Sequence, residues 1–342
     1  MNERMQNLYN GKNIDRVPFF SNGTIYSGVM AGMKSEDFYL NQKLSYEVQR
    51  QTLELFHCDS SPSFDFPGHI GGVFKGEITF VDEPCMGIPK LRPFVKGLED
   101  LDKIMLPDFK TDPYIEEKFK FFRLLRVNNL TIPISMGSPL EVAGNICEAS
   151  WLLRLFRKNP PLLERILRIS TDFLKELGDL TIEKFGVENC SASLNTPLES
   201  LISHKQLESQ VLPFVYELCD HFKKKGISNF SFHLCGKQND KLDYYKELKV
   251  PGRILISLDE KIDFQKASEV FGENYILGGN ISTETLVSGS SKDVYNASEE
   301  LIRKQKYRKG GFILMPSCTL PPLTPPLNVF AMYKACEDFG TY

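Results

Sequence analysis

Residues 229–281 read NFSFHLCGKQNDKLDYYKELKVPGRILISLDEKIDFQKASEVFGENYILGGNI. Three runs within this stretch, 229–235 (NFSFHLC), 253–258 (RILISL) and 275–281 (YILGGNI), are short and apolar and end in polar or Gly-containing loops, which predicts strands. Between the last two, 261–271 carries apolar residues at helical spacing. A strand, a helix and a strand in close succession predict parallel pairing through a right-handed crossover.

Working outward, the same kind of run recurs at 16–22 (RVPFFSN), 56–61 (FHCDSS), 131–137 (TIPISMG), 188–194 (ENCSASL) and 311–317 (GFILMPS). Helical periodicity marks 36–55, 145–185, 197–225, 292–306 and 328–339. Eight strands alternating with helices predict an α/β fold, a single (β/α)8 TIM barrel occupying 1–342 as one domain. The stretch 71–94 breaks the alternation and predicts a β-hairpin inserted after the second strand.

The chain has 342 residues, 42% of them hydrophobic, which is enough for a large core and excludes a disordered or fibrous protein. A net charge of −3 provides no electrostatic footprint for nucleic acid or an anionic membrane surface. The N-terminus is charged from its third residue, and no stretch reaches the roughly 18 apolar residues of a membrane span. A cytoplasmic protein is expected. Its eight cysteines are accordingly expected to be free, with a few available to bind metal.

In a barrel the chemistry lies at the carboxyl ends of the strands. His233-Leu234-Cys235 is a His-x-Cys on a strand, where residues two apart share a face, so both side chains can meet one ion. Cys318 closes the last strand and can complete the set. Two thiolates and one imidazole suit zinc, and three protein ligands with an open fourth position is the pattern of a catalytic zinc site. Asp259 or Glu260, at the end of the sixth strand, is placed to add a fourth ligand. Asn195, Gly279 and Asn280 at strand ends, with His69 in the Pro67-Gly68-His69 loop, are the residues expected to touch a substrate. No phosphate-binding or dinucleotide-binding fingerprint is present.

Several motifs, taken in order, resemble the uroporphyrinogen decarboxylase superfamily: Asp15-Arg16-Val17-Pro18, Gly137-Ser138-Pro139-Leu140, His233-Leu234-Cys235-Gly236, the 257–263 segment SLDEKID, Gly278-Gly279-Asn280-Ile281, Pro316-Ser317-Cys318, and the 324–328 segment TPPLN. More narrowly, they resemble its methyltransferase branch, typified by methylcobalamin:coenzyme M methyltransferases. The resemblance implies a (β/α)8 barrel over nearly the whole chain and zinc held by the His-x-Cys and the later Cys. It also implies methyl transfer between a small thiol, or another methyl donor or acceptor, and a corrinoid (cobalamin) carried by a partner protein. The decarboxylase branch resembles the chain less: 17–49 contains no arginine to meet a polycarboxylate, and Cys318 stands where decarboxylases carry histidine. Decarboxylation of a tetrapyrrole or related acid, and a non-catalytic corrinoid- or metal-binding barrel, are the alternative readings.

Overall fold

The computed structural model describes residues 3–135 and 137–342. Two short strands, β1 (Glu77–Thr79) and β2 (Lys90–Arg92), form an antiparallel pair. Six more, β3 (Ile132–Ser135), β4 (Cys190–Asn195), β5 (Phe230–Leu234), β6 (Ile254–Leu258), β7 (Tyr275–Ile281) and β8 (Phe312–Pro316), form one parallel sheet in chain order. Residue 136, within the predicted run 131–137, lies outside the described residues.

The first two predicted strands do not form ladders of their own. The 16–22 segment lies parallel to β8 through a single bridge at Phe19 and Leu314, with Phe20 N–H donating to Leu314 O and Leu314 N–H to Pro18 O. Pro18 has no N–H to donate. The 56–61 segment reaches 16–22 through Asp59 N–H to Phe19 O, while the Asp59 carboxylate accepts the Phe19 N–H at 2.9 Å. A side chain thus takes the place of a backbone acceptor, and His57, at φ 53°, turns the chain out of extended conformation.

The helices are more broken than periodicity predicts, in two cases at an asparagine that ends one helix and caps the next. Predicted 36–55 divides at Asn41 into Ser35–Leu40 and Gln42–Leu55, with Asn41 Oδ1 accepting Leu44 N–H. Predicted 145–185 divides at Asn159, before two prolines, into Ala149–Lys158 and Pro160–Phe185. Predicted 197–225 is regular α-helix chiefly over Leu212–Lys224. Helices Thr24–Met30, Pro113–Val127 and Pro139–Ile146 are additional.

Strand alternation separates two environments. On β4 and β5 the residues Cys190, Ala192, Leu194, Phe230, Phe232 and Leu234 are buried in the main core, while Ser191, Ser193, Asn195, Ser231 and His233 on the opposite face are only half-buried. A second, smaller cluster joins Met5 and Leu8 of helix Glu3–Tyr9 to Leu255, Ile276, Ile313 and Met315. The N-terminal helix therefore packs against residues of the sheet, below the half-buried polar residues. Leu255 and Met315 also line the cavity above. No helix among the described residues is long and apolar enough to cross a membrane.

Candidate metal centre and cavity

Above Leu255 and Met315 lies a cavity of about 400 Å³. Its wall is built from small polar side chains at alternate strand positions, Ser193 and Asn195 on β4, Ser231 on β5 and Ser257 on β6, with Asn22 and Asp65 from the early loops. Serines at these positions fill less space than branched apolar side chains would, and leave the cavity open.

His233 and Cys318 line this cavity. One ligand atom each from His233, Cys235 and Cys318 falls within 4.8 Å of the others, and among the described residues this is the one cluster of at least three metal-ligating groups so close. In the strand register His233 lies between Asn195 and Ser257. Its Nδ1 is 3.0 Å from Ser257 Oγ, which donates to Phe232 O at 3.4 Å and therefore accepts from Nδ1–H. That tautomer leaves the lone pair on Nε2, which is buried with no hydrogen-bond partner. A buried, unpartnered nitrogen beside two thiols is the donor set that a zinc ion satisfies. The neighbouring Cys235, and after it His233, hold the Cys318 thiol well below its usual range, while Cys318 pushes the Cys235 thiol up.

Asp259 and Glu260, expected as candidates for a fourth ligand, serve the loops instead. Asp259 accepts Gly236 N–H on one oxygen and Lys261 N–H on the other, both at 2.9 Å, which anchors the turn just after Cys235. Gly236 needs its φ of 74° there, and a Cβ would lie 2.7 Å from Ser200 Oγ. Glu260 is exposed and accepts from Ser317 Oγ, next to Cys318. Gln238 Nε2 donates to Cys235 O at 2.7 Å. The loops that carry Cys235 and Cys318 are thus tied by hydrogen bonds that Asp259 and Glu260 accept and Gln238 donates.

Of the residues expected to touch substrate, Asn195 alone lines the cavity. Asn280 is turned to main chain, with Nδ2 donating to Asp259 O and Ile262 O. Gly279 sits where β7 presses on β6, so that a Cβ would stand 2.9 Å from Leu258 O. His69 is buried among Phe64, Phe66 and Tyr114, with Nε2 2.6 Å from Tyr114 O, and burial pushes it down to about 3, so it stays neutral.

Sequence reading passed over the serines, Asp65, Glu141 and Glu199. The serines had a signal: in SFHL, ILISL and CSASLN hydroxyls alternate with apolar residues. Asp65 is pushed up to about 6 by burial and the nearby Cys318. Glu141 rises to about 8 and Glu199 to about 7, both first by burial, and oxygens of each lack hydrogen-bond partners. No local pattern marks these three, because their burial depends on loops that meet only in the fold.

A family model described as "Uroporphyrinogen decarboxylase (URO-D)" matches residues 1–339. The chain is 24% identical over 252 residues to the methylcobamide:CoM methyltransferase MtbA of Methanosarcina acetivorans, covering 73% of this chain and 71% of that one. It is 21% identical over 354 residues to the uroporphyrinogen decarboxylase of Geobacter sulfurreducens, covering 98% of each. A solved structure, a methyltransferase from Methanosarcina mazei, superposes with a TM-score of 0.80 at 20% identity over 98% of each chain, a likeness of fold.

Proposed function

The chain belongs to the uroporphyrinogen decarboxylase (URO-D) family, and from that premise we propose that it is a zinc-dependent methyltransferase. It moves a methyl group between a small thiol, or another donor or acceptor, and a corrinoid carried by a partner protein. One observation carries the reading: the unpartnered Nε2 of His233 faces the sulfurs of Cys235 and Cys318 at a serine-lined cavity. The methyltransferase relatives support it.

His233, Cys235 and Cys318 would hold the zinc. When bound, zinc keeps a thiol as an electron-rich thiolate near neutral pH. The two cysteines, both deprotonated, balance the charge of a divalent ion, so the ligand set draws little electron density from an entering sulfur. Ser257 would hold the His233 ring in place through its contact with Nδ1. Asn195 and the serines orient the small molecule in the cavity, and that positioning supplies much of the rate of an in-line displacement. We further propose that the six-stranded sheet closes, through 16–22 and 56–61, into a one-domain (β/α)8 barrel whose carboxyl-end mouth admits the corrinoid protein.

The decarboxylase reading is favoured by the full-length similarity to the Geobacter enzyme. Against it, the described cavity wall holds neither Lys nor Arg, and a polycarboxylate desolvated without cationic partners is costly. The test is metal content: purified protein carries about one zinc per chain, as expected for a three-ligand catalytic site, and Cys235→Ala and Cys318→Ala lose it while their circular dichroism is unchanged. Full zinc retention in both variants refutes the site.

A further inference from the structure

We propose that the small molecule taken by this cavity is cationic or uncharged at the end remote from its reacting sulfur, and that Asp65 is the residue that selects it. The inference rests on the methyltransferase reading, in which a thiol enters beside Cys318, and adds the charge class of that thiol.

Three observations meet here. First, Asp65 is the only carboxylate in the cavity wall, and no Lys or Arg lines it among the described residues. Second, among the described residues Asp65 has no hydrogen-bond or ion-pair partner, yet it lies close enough to Cys318 for the sulfur to act on it electrostatically. A carboxylate in a desolvated wall without a partner has unmet acceptor capacity. An N–H or O–H of a bound molecule satisfies it.

Third, the cations nearby are committed elsewhere. Arg4 and Arg16 both bind Asp59. Lys118 is buried facing the rings of Phe64 and Phe122, at 5.8 and 5.6 Å, with Glu141 nearby, and does not line the cavity. Helix Thr24–Met30 begins at the wall, but it has seven residues, and a helix end offers about half a charge against the full charge of a carboxylate. With zinc neutralised by two thiolates, a sulfonate or carboxylate tail would enter a cavity whose one fixed charge repels it. The half-exposed Ser193, Asn195 and Ser231 provide neutral hydrogen bonding for the rest of a small polar molecule.

The experiment is calorimetric titration of the zinc-loaded full chain with four thiols of similar size: cysteamine, 2-mercaptoethanol, 1-propanethiol and 2-mercaptoethanesulfonate. Cysteamine binds at least about tenfold more tightly than the sulfonate, a modest demand on a close charge contrast in a partly desolvated wall. 2-Mercaptoethanol falls between them and ahead of 1-propanethiol. In Asp65→Asn, which keeps shape and zinc content, the cysteamine preference collapses to about threefold or less, while 2-mercaptoethanol binding holds. Tightest binding of the sulfonate, or an unchanged ratio in Asp65→Asn, overturns the inference and leaves the methyltransferase reading standing. Failure of all four thiols to bind zinc-loaded protein overturns both. The wild-type ranking decides the charge class even if Asp65→Asn does not fold.

Discussion

Because Ser257 Oγ donates to Phe232 O, it can only accept from His233 Nδ1–H, and the imidazole is held as the tautomer that offers Nε2 to a metal. Removing this kind of partner costs about 10–100-fold in metal affinity. Ser257→Ala is therefore expected to weaken zinc binding by about that factor, read by competition with a chromophoric chelator, while the fold is retained. Unchanged affinity means that Ser257 does not orient His233. His69 behaves differently. It is buried neutral and pushed down to about 3, whereas in the unfolded chain it takes a proton near its usual value of about 6.5. Its contribution is complete above that value and is lost as pH falls toward 3. Asp65, Glu141 and Glu199, pushed up, act in the opposite sense over pH values above about 4.5. The comparison with His69→Gln isolates the histidine: the difference in unfolding free energy between wild type and variant shifts by a few kcal/mol between pH 7 and 4, to the wild type's disadvantage at low pH. A pH-independent difference contradicts the buried neutral state. The gathering of His233, Cys235 and Cys318 was legible because a His-x-Cys at a strand end brings both side chains close together, whereas the surroundings of His69, Gly279 and Asn280 were not, since each is set by main chain arriving from another element.

At the scale of elements, Asp59 joins the first two chain segments to the sheet. It is buried, accepts from Arg4 and from Arg16 at 3.0 Å, and takes the Phe19 N–H that no strand neighbour satisfies. Asp59→Ala leaves a part-buried arginine pair and a buried N–H without their acceptor, so a loss of about 3–5 kcal/mol is expected, measured by denaturant unfolding. A loss under about 1 kcal/mol shows that the contact is a solvated ion pair with no part in holding 16–22 to 56–61. The six strands from 131 onward were legible because their apolar runs face helices on one side. The segments 16–22 and 56–61 have similar composition, but Pro18 and the positive φ of His57 deny them ladders, and composition does not register a hydrogen bond made by a side chain. Helix breaks at Asn41 and Asn159 escaped periodicity for a related reason: the apolar stripe continues across a cap that restarts the helix.

For the whole molecule, the family, the donor set and the charge of the cavity bear on one question, which chemistry this URO-D member performs. A wall without Lys or Arg predicts that uroporphyrinogen is neither bound tightly nor decarboxylated, checked by carbon dioxide release from the metal-free and zinc-loaded protein. Steady release by metal-free protein would make the decarboxylase the better reading. The central claim meets its most direct test in the visible spectrum of methylcobalamin incubated without oxygen with the zinc-loaded protein and cysteamine. The account predicts progressive loss of the methylcobalamin bands with formation of the S-methyl product, abolished by chelation and in Cys318→Ala. An unchanged spectrum with fully zinc-loaded protein, or the same rate after the zinc is removed, would contradict it.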